Sequence, residues 1–403
     1  MKEKILIFIT ASYPYGLSET FIESEIMHLA NEFDKIVIIP LSRSQHDTER
    51  EYPANVEIRN YQKKKMKYLS SFNLILKNKQ IRVEFYKNLI TKPLKNKVLI
   101  KSIKEALSLK DFIEKTAHCE ENKLLFFYSY WLNDAAIALS LLKRPGIKIS
   151  RAHGWDIYRE RHLYHYLPLR KHLAKNLDGI YSISQHGQKE LLKQTDCDNI
   201  YVSRLGTENN YQFDIGPAPA ITQLNIISIG NAIPLKRLHL IGEAIKLMKP
   251  GDYHWIHFGD GPLLAQLKTE YPFADFRGQV SNIEIKNQLN LLKSNAILIN
   301  TSTSEGIPVS MMEAMSFGIP CVGTYVGGVS EIIENNFNGF LLSPDPNLKE
   351  LAALIRKIAS NNKDEMHKLK INARNTWLEK YNAPKNYPAF IKLAFSNIGI
   401  AGN

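Results

Sequence analysis

Asn300–Gly318, NTSTSEGIPVSMMEAMSFG, is the stretch on which the fold turns. Ala296–Thr301 reads as an apolar strand, and a short polar loop follows it. A helix is expected to open at Pro308 and run to Phe317, with another apolar strand, Ile319–Gly323, directly behind it. A strand–helix–strand unit this compact implies a parallel sheet, and open parallel sheets bind ligands beyond their strands' carboxyl ends. Two carboxylates sit there: Glu305 in the loop and Glu313 in the second turn of the helix.

Pro308 suits a first helical position, because its missing N–H would have had no partner there. The N–H groups that follow, with the positive end of the helix dipole, favour a phosphate. Glu313 shares a helix face with Val309 and Ser310, where it could accept hydrogen bonds from a ribose diol. Glu305 would then meet whatever is attached beyond the phosphates. The pattern describes a nucleotide carrying an activated group. Acidic residues near a helix N-terminus also stabilise the helix by themselves, so spacing alone leaves that explanation equally open.

The residues around the two carboxylates discriminate. Ser304–Ile333, SEGIPVSMMEAMSFGIPCVGTYVGGVSEII, resembles the signature of the retaining glycosyltransferases of family 4, with its Glu–seven residues–Glu spacing. The match includes Gly306, Pro308, Ala314, Gly318, Pro320, Gly327, Gly328 and Glu331. The resemblance implies an α/β chain of GT-B fold: two facing Rossmann-like, doubly wound parallel-sheet domains with a cleft between them. It also implies that Glu305, Gly306, Ile307, Pro308, Val309 and Glu313 line a nucleotide-sugar donor site. No metal and no cofactor are expected, because cationic side chains and a helix dipole can carry the charge work.

Composition agrees with an ordinary globular chain. At roughly 100–200 residues per domain, 403 residues make two or three domains, and 44% hydrophobic with 23% charged residues leaves room for two cores. Cys119, Cys197 and Cys321 are isolated and lack metal-type spacing, which points to a reducing compartment and no structural zinc. No stretch approaches the ~20 apolar residues of a spanning helix. The opening MKEKILIFITASYPYG places lysines before an apolar run, but Ile5–Ile9 is too short for a signal peptide and reads as a buried first strand. A cytoplasmic protein is expected.

The net charge of +12 is localised. Between Tyr61 and Lys110 there are fourteen Lys or Arg and two acids, Glu84 and Glu105, so this segment carries the whole excess. Tyr68, Leu69, Phe72, Leu76, Phe85 and Tyr86 are interleaved with the bases. Basic and apolar residues mixed in helices suggest a surface that rests on the inner face of an anionic membrane; a solvated basic face over a buried stripe is the competing explanation. Nucleic acid is not expected, because no recognised binding motif accompanies the charge.

Strand-like runs in the first half fall at Lys4–Thr10, Lys35–Pro40, Leu124–Tyr128, Ile147–Ala152 and Gly179–Ile183, with helical patterns between them. Residues 1–205 form the expected acceptor-binding domain, with 61–110 as a helical elaboration. Gly206–Gln223 is rich in Gly, Pro and polar residues and reads as a linker. A second alternation has strands at Leu224–Gly230, Tyr253–Gly259, Phe273–Gly278, Ala296–Thr301, Ile319–Gly323 and Gly339–Leu342. Helices are expected over Lys236–Met248, Pro262–Glu270, Ile283–Leu292, Pro308–Phe317 and most of Asn347–Tyr381. Residues 224–380 are the expected donor domain, and 381–403 a terminal helix that the resemblance would have cross back to the first domain.

Other segments carry the resemblance further. Ser228–Arg237, SIGNAIPLKR, follows a strand and aligns with the segment that supplies two cations to the donor's diphosphate. Gly230 opens it and Lys236 holds the lysine position; Asn231 stands where the family has arginine, and Arg237 is the nearest substitute. Without ligands, Lys236 and Arg237 are plain first-turn helix residues. Phe258–Leu263, FGDGPL, reads as a tight turn with Asp260 capping the next helix. Gly278–Val280 matches the region that holds the donor base through backbone groups.

In the first domain, His153 of Arg151–Asp156 (RAHGWD) lies at a strand's carboxyl end. The resemblance to a His–Gly–x–Asp stretch makes it the histidine that faces the transferred sugar. Tyr13–Glu25, YPYGLSETFIESE, offers Gly16 for a close backbone approach to the donor, and Thr20 with Glu23 in capping-box spacing. Tyr128–Trp131, YSYW, ends a strand with aromatics that could stack on a sugar.

The reading is a retaining, metal-independent hexosyltransferase that uses a UDP- or GDP-linked sugar and a saccharide acceptor, lipid-linked, in bacterial surface-polysaccharide assembly. His153, Glu305 and Lys236 are its catalytic candidates. A GT-B sugar-nucleotide epimerase or phosphorylase is the enzyme alternative; a catalytically silent nucleotide- and membrane-binding homologue, hinted at by Asn231, is the other.

Overall fold

The computed structural model describes residues 2–43, 48–120, 123–214, 223–248, 251–360 and 363–396, without the side chain of 396. The chain divides into two compact units, Met1–Arg204 with Asn386–Asn403, and Leu205–Lys385. Of the expected linker, 215–222 lie outside the described residues, as do 397–403 of the expected terminal helix. Residues 206–214 belong to the second unit, where Trp377 Nε1 donates to Thr207 Oγ1 over 2.8 Å.

The strands of unit 1 are β1 (Lys4–Thr10), β2 (Lys35–Pro40), β3 (Val56–Ile58), β4 (Leu124–Ser129), β5 (Ile147–Ala152), β6 (Gly179–Ser182) and β7 (Ile200–Val202). They pair in the order β3-β2-β1-β4-β5-β6-β7, all parallel. Its helices are α1 (Phe21–Glu32), α2 (Tyr68–Lys77), α3 (Lys79–Thr91), α4 (Lys95–His118), α5 (Asp134–Ser140), α6 (Arg170–Asn176) and α7 (Gln185–Gln194). A parallel sheet is covered on both faces, and β1 shows it. Ile5, Ile7 and Ile9 join a core with residues of α4 and α5, whereas Leu6 and Phe8 join a second with Ile22, Ile26, Phe390 and Phe395.

In unit 2 the strands are β8 (Leu224–Ile229), β9 (Tyr253–Phe258), β10 (Asp275–Gly278), β11 (Ala296–Asn300), β12 (Cys321–Thr324) and β13 (Gly339–Leu342). Their order is β10-β9-β8-β11-β12-β13, again all parallel. The helices are α8 (His239–Lys246), α9 (Leu264–Glu270), α10 (Asn282–Leu292), α11 (Val309–Ser316), α12 (Val329–Ile332), α13 (Leu348–Ala359) and α14 (Lys363–Lys380). A last helix, α15 (Ala383–Ile391), contains the boundary between the units. In each sheet the strand order reverses once, at β1/β4 and at β8/β11. Such a reversal splays the connections to opposite faces and leaves a crevice at the carboxyl ends.

Several expectations are corrected. β3 and β7 are three-residue edge strands, too short for an alternation to register. The helix expected from Lys236 begins at His239, because Arg237 has a left-handed backbone (φ 47°) that cannot continue a helix. Pro308 is the N-cap and Val309 the first helical residue, since Pro308 has an extended ψ of 118°. Thr20 makes no side-chain cap at α1, and Glu23 instead pairs with Arg50 at 2.7 Å. Asp260 binds the neighbouring Gly261 N–H, three residues short of the α9 N-cap at Leu263. The basic 61–110 segment is resolved into α2, α3 and most of α4.

Candidate active site

The unit 2 constellation is built by backbone close approach. At the end of β9, Gly259 has φ 142°, and a Cβ there would lie 2.1 Å from the Gly230 carbonyl oxygen. Ala232 N donates to Asp260 O over 2.8 Å, and Gly259 N to Gly278 O over 2.8 Å, so the ends of β8, β9 and β10 run side by side. Pro234–Lys236 then makes a single 3-10 turn. Thr301 Oγ1 donates to Lys236 O (2.9 Å) and Arg237 O (3.0 Å), which ties this turn to the end of β11.

Lys236 Nζ lies 2.6 Å from Glu305 Oε1. The same oxygen accepts from Ser302 Oγ (2.6 Å) and Asn300 Nδ2 (3.1 Å). Burial pushes the Glu305 carboxyl up, but the Lys236 charge and these donors together hold it below the usual carboxylate range. Lys236 is a half-buried cation at the switch point, with Gly230 against its stem: a Cβ at Gly230 would meet Lys236 Cε at 3.2 Å.

Arg237 is not a second such cation. Its guanidinium donates to Thr301 O (2.7 Å), Ser302 O (3.3 Å) and Pro344 O (2.8 Å), and pairs with Asp345 at 3.0 Å. The side chain therefore buttresses the loop after β11. Asn231 is exposed.

That loop is held from three directions. Thr324 Oγ1 donates to Ser302 O over 2.5 Å, and Thr303 N to Leu235 O over 2.9 Å. Gly328 N donates to Gly306 O over 2.8 Å, in a contact so close that a Cβ at Gly328 would sit 2.1 Å from the Gly306 oxygen. Ile307 and Pro308 are buried beneath the turn, while Val309 and Ser310 are half-buried and open α11 with first-turn N–H groups that have no intrahelical acceptor. Glu313, one turn on, is buried and accepts from Asn282 Nδ2 over 2.5 Å. Asn282 opens α10, two residues after the half-buried Val280. Ser281-x-x-Glu284 is a capping signature that marks this turn in the sequence, yet nothing in it announces a bond to Glu313.

A second constellation lies in unit 1. Gly16 has a left-handed backbone (φ 68°), and its N–H donates to Thr48 O over 3.0 Å. Glu19, at φ 55° and buried, turns its carboxylate back into the loop after β1. It accepts from Ala11 N (3.0 Å), Ser12 N (2.7 Å), Tyr13 N (2.9 Å) and Trp131 Nε1 (2.6 Å). Asp156 organises the next loop, accepting from His153 N (2.5 Å) and Leu132 N (2.6 Å). Burial raises the Asp156 carboxyl, but His153 and the Leu132 N–H overcome it and hold it low.

The His153 ring sits 4.5 Å from Trp131 and 4.7 Å from Tyr130, with Phe21 at 6.0 Å. It is buried, its Nδ1 is 3.9 Å from Asp156, and neither ring nitrogen has a hydrogen-bond partner among the described residues. A polar ring held by aromatics, with ring nitrogens that make no hydrogen bond among the described residues, can bond a ligand hydroxyl. Beneath it, Arg151 and Glu25 form a fully buried ion pair at 3.2 Å, and Tyr128 OH bonds both. The geometry thus brings Lys236, Glu305 and Gly230 together around a pinned loop, and His153 together with Trp131. Sequence reading missed Glu19, Asn282, Ser302 and Asn300, which act as partners and carry no motif of their own.

Comparison with known proteins agrees. Residues 217–376 match the family of glycosyl transferases, group 1. The amylovoran biosynthesis glycosyltransferase AmsK of Erwinia amylovora is 29% identical over 232 residues, 54% of this chain and 56% of AmsK. The putative colanic acid biosynthesis glycosyltransferase WcaL of Escherichia coli is 31% identical over 247 residues, 57% of this chain and 59% of WcaL. The matched part therefore spans little more than half the length of these relatives. Among solved structures, Anabaena HepE in complex with UDP-glucose superposes with a TM-score of 0.66 at 18% identity, covering 98% of this chain and all of HepE. At that identity the likeness speaks for the fold, two parallel-sheet α/β domains of GT-B type. Through the segment that holds Gly230, Lys236, Glu305 and Glu313, residues 217–376 of this chain are similar to the glycosyl transferases of group 1.

Proposed function

We propose that this protein is a retaining, metal-independent glycosyltransferase that moves a hexose from a UDP- or GDP-linked donor to a saccharide acceptor. The observation that carries this reading is the Lys236–Glu305 pair beside the N-terminus of α11. Lys236 and the first-turn N–H groups supply positive charge for the leaving diphosphate, in a site whose parts are already in place before reaction. Glu313, oriented by Asn282, takes the ribose diol, and Val280 borders the base. Glu305 orients the hexose, and the paired ammonium keeps it ionised as an acceptor for sugar hydroxyls.

His153 contributes a hydroxyl contact in unit 1, where its two ring nitrogens need partners. Catalysis is then a matter of positioning and electrostatics: the acceptor hydroxyl attacks from the side that the diphosphate leaves, its proton passes to the departing phosphate oxygen, and configuration is retained. The named relatives are an amylovoran biosynthesis glycosyltransferase and a putative colanic acid biosynthesis glycosyltransferase, and the basic 61–110 segment supports a reading with a lipid-linked acceptor at the inner face of an anionic membrane.

Thermal stabilisation by UDP, GDP and ADP, on wild type and on Glu313→Ala, tests the reading. One nucleotide raising the midpoint of the wild type but not of the variant is expected. No shift with any of the three, together with no turnover of the corresponding nucleotide hexoses, would remove it.

A further inference from the structure

Large apolar side chains left in water are normally scattered singly over a protein surface. Here they are not: of twenty-four exposed ones among the described residues, nine lie within Tyr68–Leu94. They follow the helical repeat. On α2, Leu69, Phe72 and Leu76 are spaced i, i+3, i+7; on α3, Val83, Tyr86 and Ile90 repeat the spacing, and Ile90 is 86% exposed. The inner faces of the same helices are accounted for, with Ile75 and Ile81 in the core of unit 1. The two helices touch through aromatic rings, Phe72 of α2 against the half-buried Phe85 of α3 at 6.2 Å, with Tyr86 5.9 Å from Phe85.

Charge surrounds the apolar stripes. Residues 67–97 hold eight Lys or Arg and one acid, Glu84. That acid is turned inward: Glu84 accepts from Leu169 N over 3.0 Å and from Tyr166 OH, and Asn88 Nδ2 donates to Tyr166 OH over 3.1 Å. The outward face is left cationic, with Lys67, Lys77, Lys79, Lys87, Lys92 and Lys97 exposed.

We infer that the outer face of α2 and α3 docks on an anionic lipid bilayer, with Leu69, Phe72, Val83, Tyr86 and Ile90 entering the headgroup boundary. An apolar stripe alone would fit a second protein equally well. A stripe on a segment, 67–97, that carries exposed lysines and no exposed acid fits a surface that is both apolar and uniformly negative, which describes an anionic bilayer. The same α3 carries Glu84 and Asn88, which hold Tyr166 and Leu169 at the far end of the loop that begins with His153. Docking therefore sets the height of that loop above the lipid. The inference deepens the lipid-linked acceptor part of the proposed function by naming its surface. Its test reads vesicle binding, so it fails or stands independently of nucleotide binding by unit 2.

The full chain is co-sedimented with vesicles of phosphatidylcholine alone and of phosphatidylcholine with phosphatidylglycerol, at low and rising salt. Binding is expected only with phosphatidylglycerol, weakening as salt rises. Lys87→Gln and Lys92→Gln each lower it about fivefold. The triple change Val83→Ser, Tyr86→Ser, Ile90→Ser lowers it at least about tenfold, with circular dichroism unchanged, while Leu291→Ser on unit 2 has no effect. Absence of sedimentation with phosphatidylglycerol at low salt overturns the inference, as does undiminished binding by both the lysine and the apolar variants. A wild-type dimer abolished by the triple change, with no vesicle binding, overturns it in favour of contact between copies.

Discussion

The Lys236 ammonium lies 2.6 Å from Glu305, joining the turn after β8 to the loop after β11 where the strand order of unit 2 reverses. The pair is charged on both sides and largely removed from water. Glu305 also holds the Ser302 and Asn300 side chains, so one carboxylate orients the only lysine of the turn and two polar partners.

Glu305→Gln keeps the shape and removes the charge. Transfer is expected to fall by about a hundredfold or more, the size of effect seen when a placed polar group is lost from a preorganised site. The sign of the pH effect follows from the depressed carboxyl: its stabilising contribution is complete above the unfolded value near 4.3 and is lost as pH falls through the folded value below it. Wild type should lose stability in that acid range more steeply than Glu305→Gln. Parallel curves for the two proteins would contradict the pairing.

Glu19→Ala strands the N–H groups of Ala11, Ser12 and Tyr13 and the Trp131 indole. At about 1–3 kcal/mol for a buried donor left unpaired, partly relieved by water entering the loop, a total loss of about 3 kcal/mol is expected in urea unfolding of unit 1. A loss below about 0.5 kcal/mol would show that the carboxylate is dispensable.

Gly259→Ala forces a Cβ to within 2.1 Å of the Gly230 carbonyl at φ 142°. Backbone strain alone is worth about 1–3 kcal/mol, and the clash must also push apart the loops that place Lys236. Lower stability of unit 2 and weaker nucleotide binding should appear together. Wild-type values for both would mean that the loops separate at no cost.

Burial depresses two histidines to about 4, His172 in unit 1 and His257 in unit 2. A depressed folded value means that stability is present above the unfolded value near 6.5 and declines as pH falls towards 4. The full effect is about 3 kcal/mol per group at one pKa unit per 1.36 kcal/mol. His172→Phe should flatten the pH dependence of unit 1 melting, and His257→Phe that of unit 2, followed by calorimetry between pH 7 and about 4. Equal flattening of both transitions by either change would refute the assignment.

Glu25→Ala leaves Arg151 buried without its counter-charge. A loss of about 3–5 kcal/mol is expected, whereas the joint change Glu25→Leu, Arg151→Met should cost far less. A double-mutant cycle on unit 1 decides it: additive losses would mean that the two charges are not coupled.

Long apolar strands were legible because they obey a local rule, periodicity between flanking glycines, and the loop bearing Glu305 because Ser304–Ile333 resembles a known signature. The three-residue strands β3 and β7 were not, since pairing at a sheet edge, rather than composition, makes them strands. Arg237 misled for a related reason. As a sequence letter it is a spare cation; its left-handed backbone and three carbonyl acceptors make it a brace. Thr20 and Glu23 had capping spacing, but Arg50, twenty-seven residues on, took the carboxylate.

By itself the sequence determined the parallel α/β alternation, because periodicity is a short-range pattern that backbone hydrogen bonding and burial impose wherever it occurs, while the resemblance of Ser228–Arg237 and Ser304–Ile333 to a known signature marked Lys236, Glu305 and Glu313. Tertiary structure alone decided the partners. Glu25 meets Arg151 across 126 residues, and Trp131 meets Glu19 across 112. Asn282 meets Glu313 from another helix. Such choices depend on which strand lies beside which, and strand order is settled by packing the whole sheet between its helices, not by any local preference of the residues that end up touching.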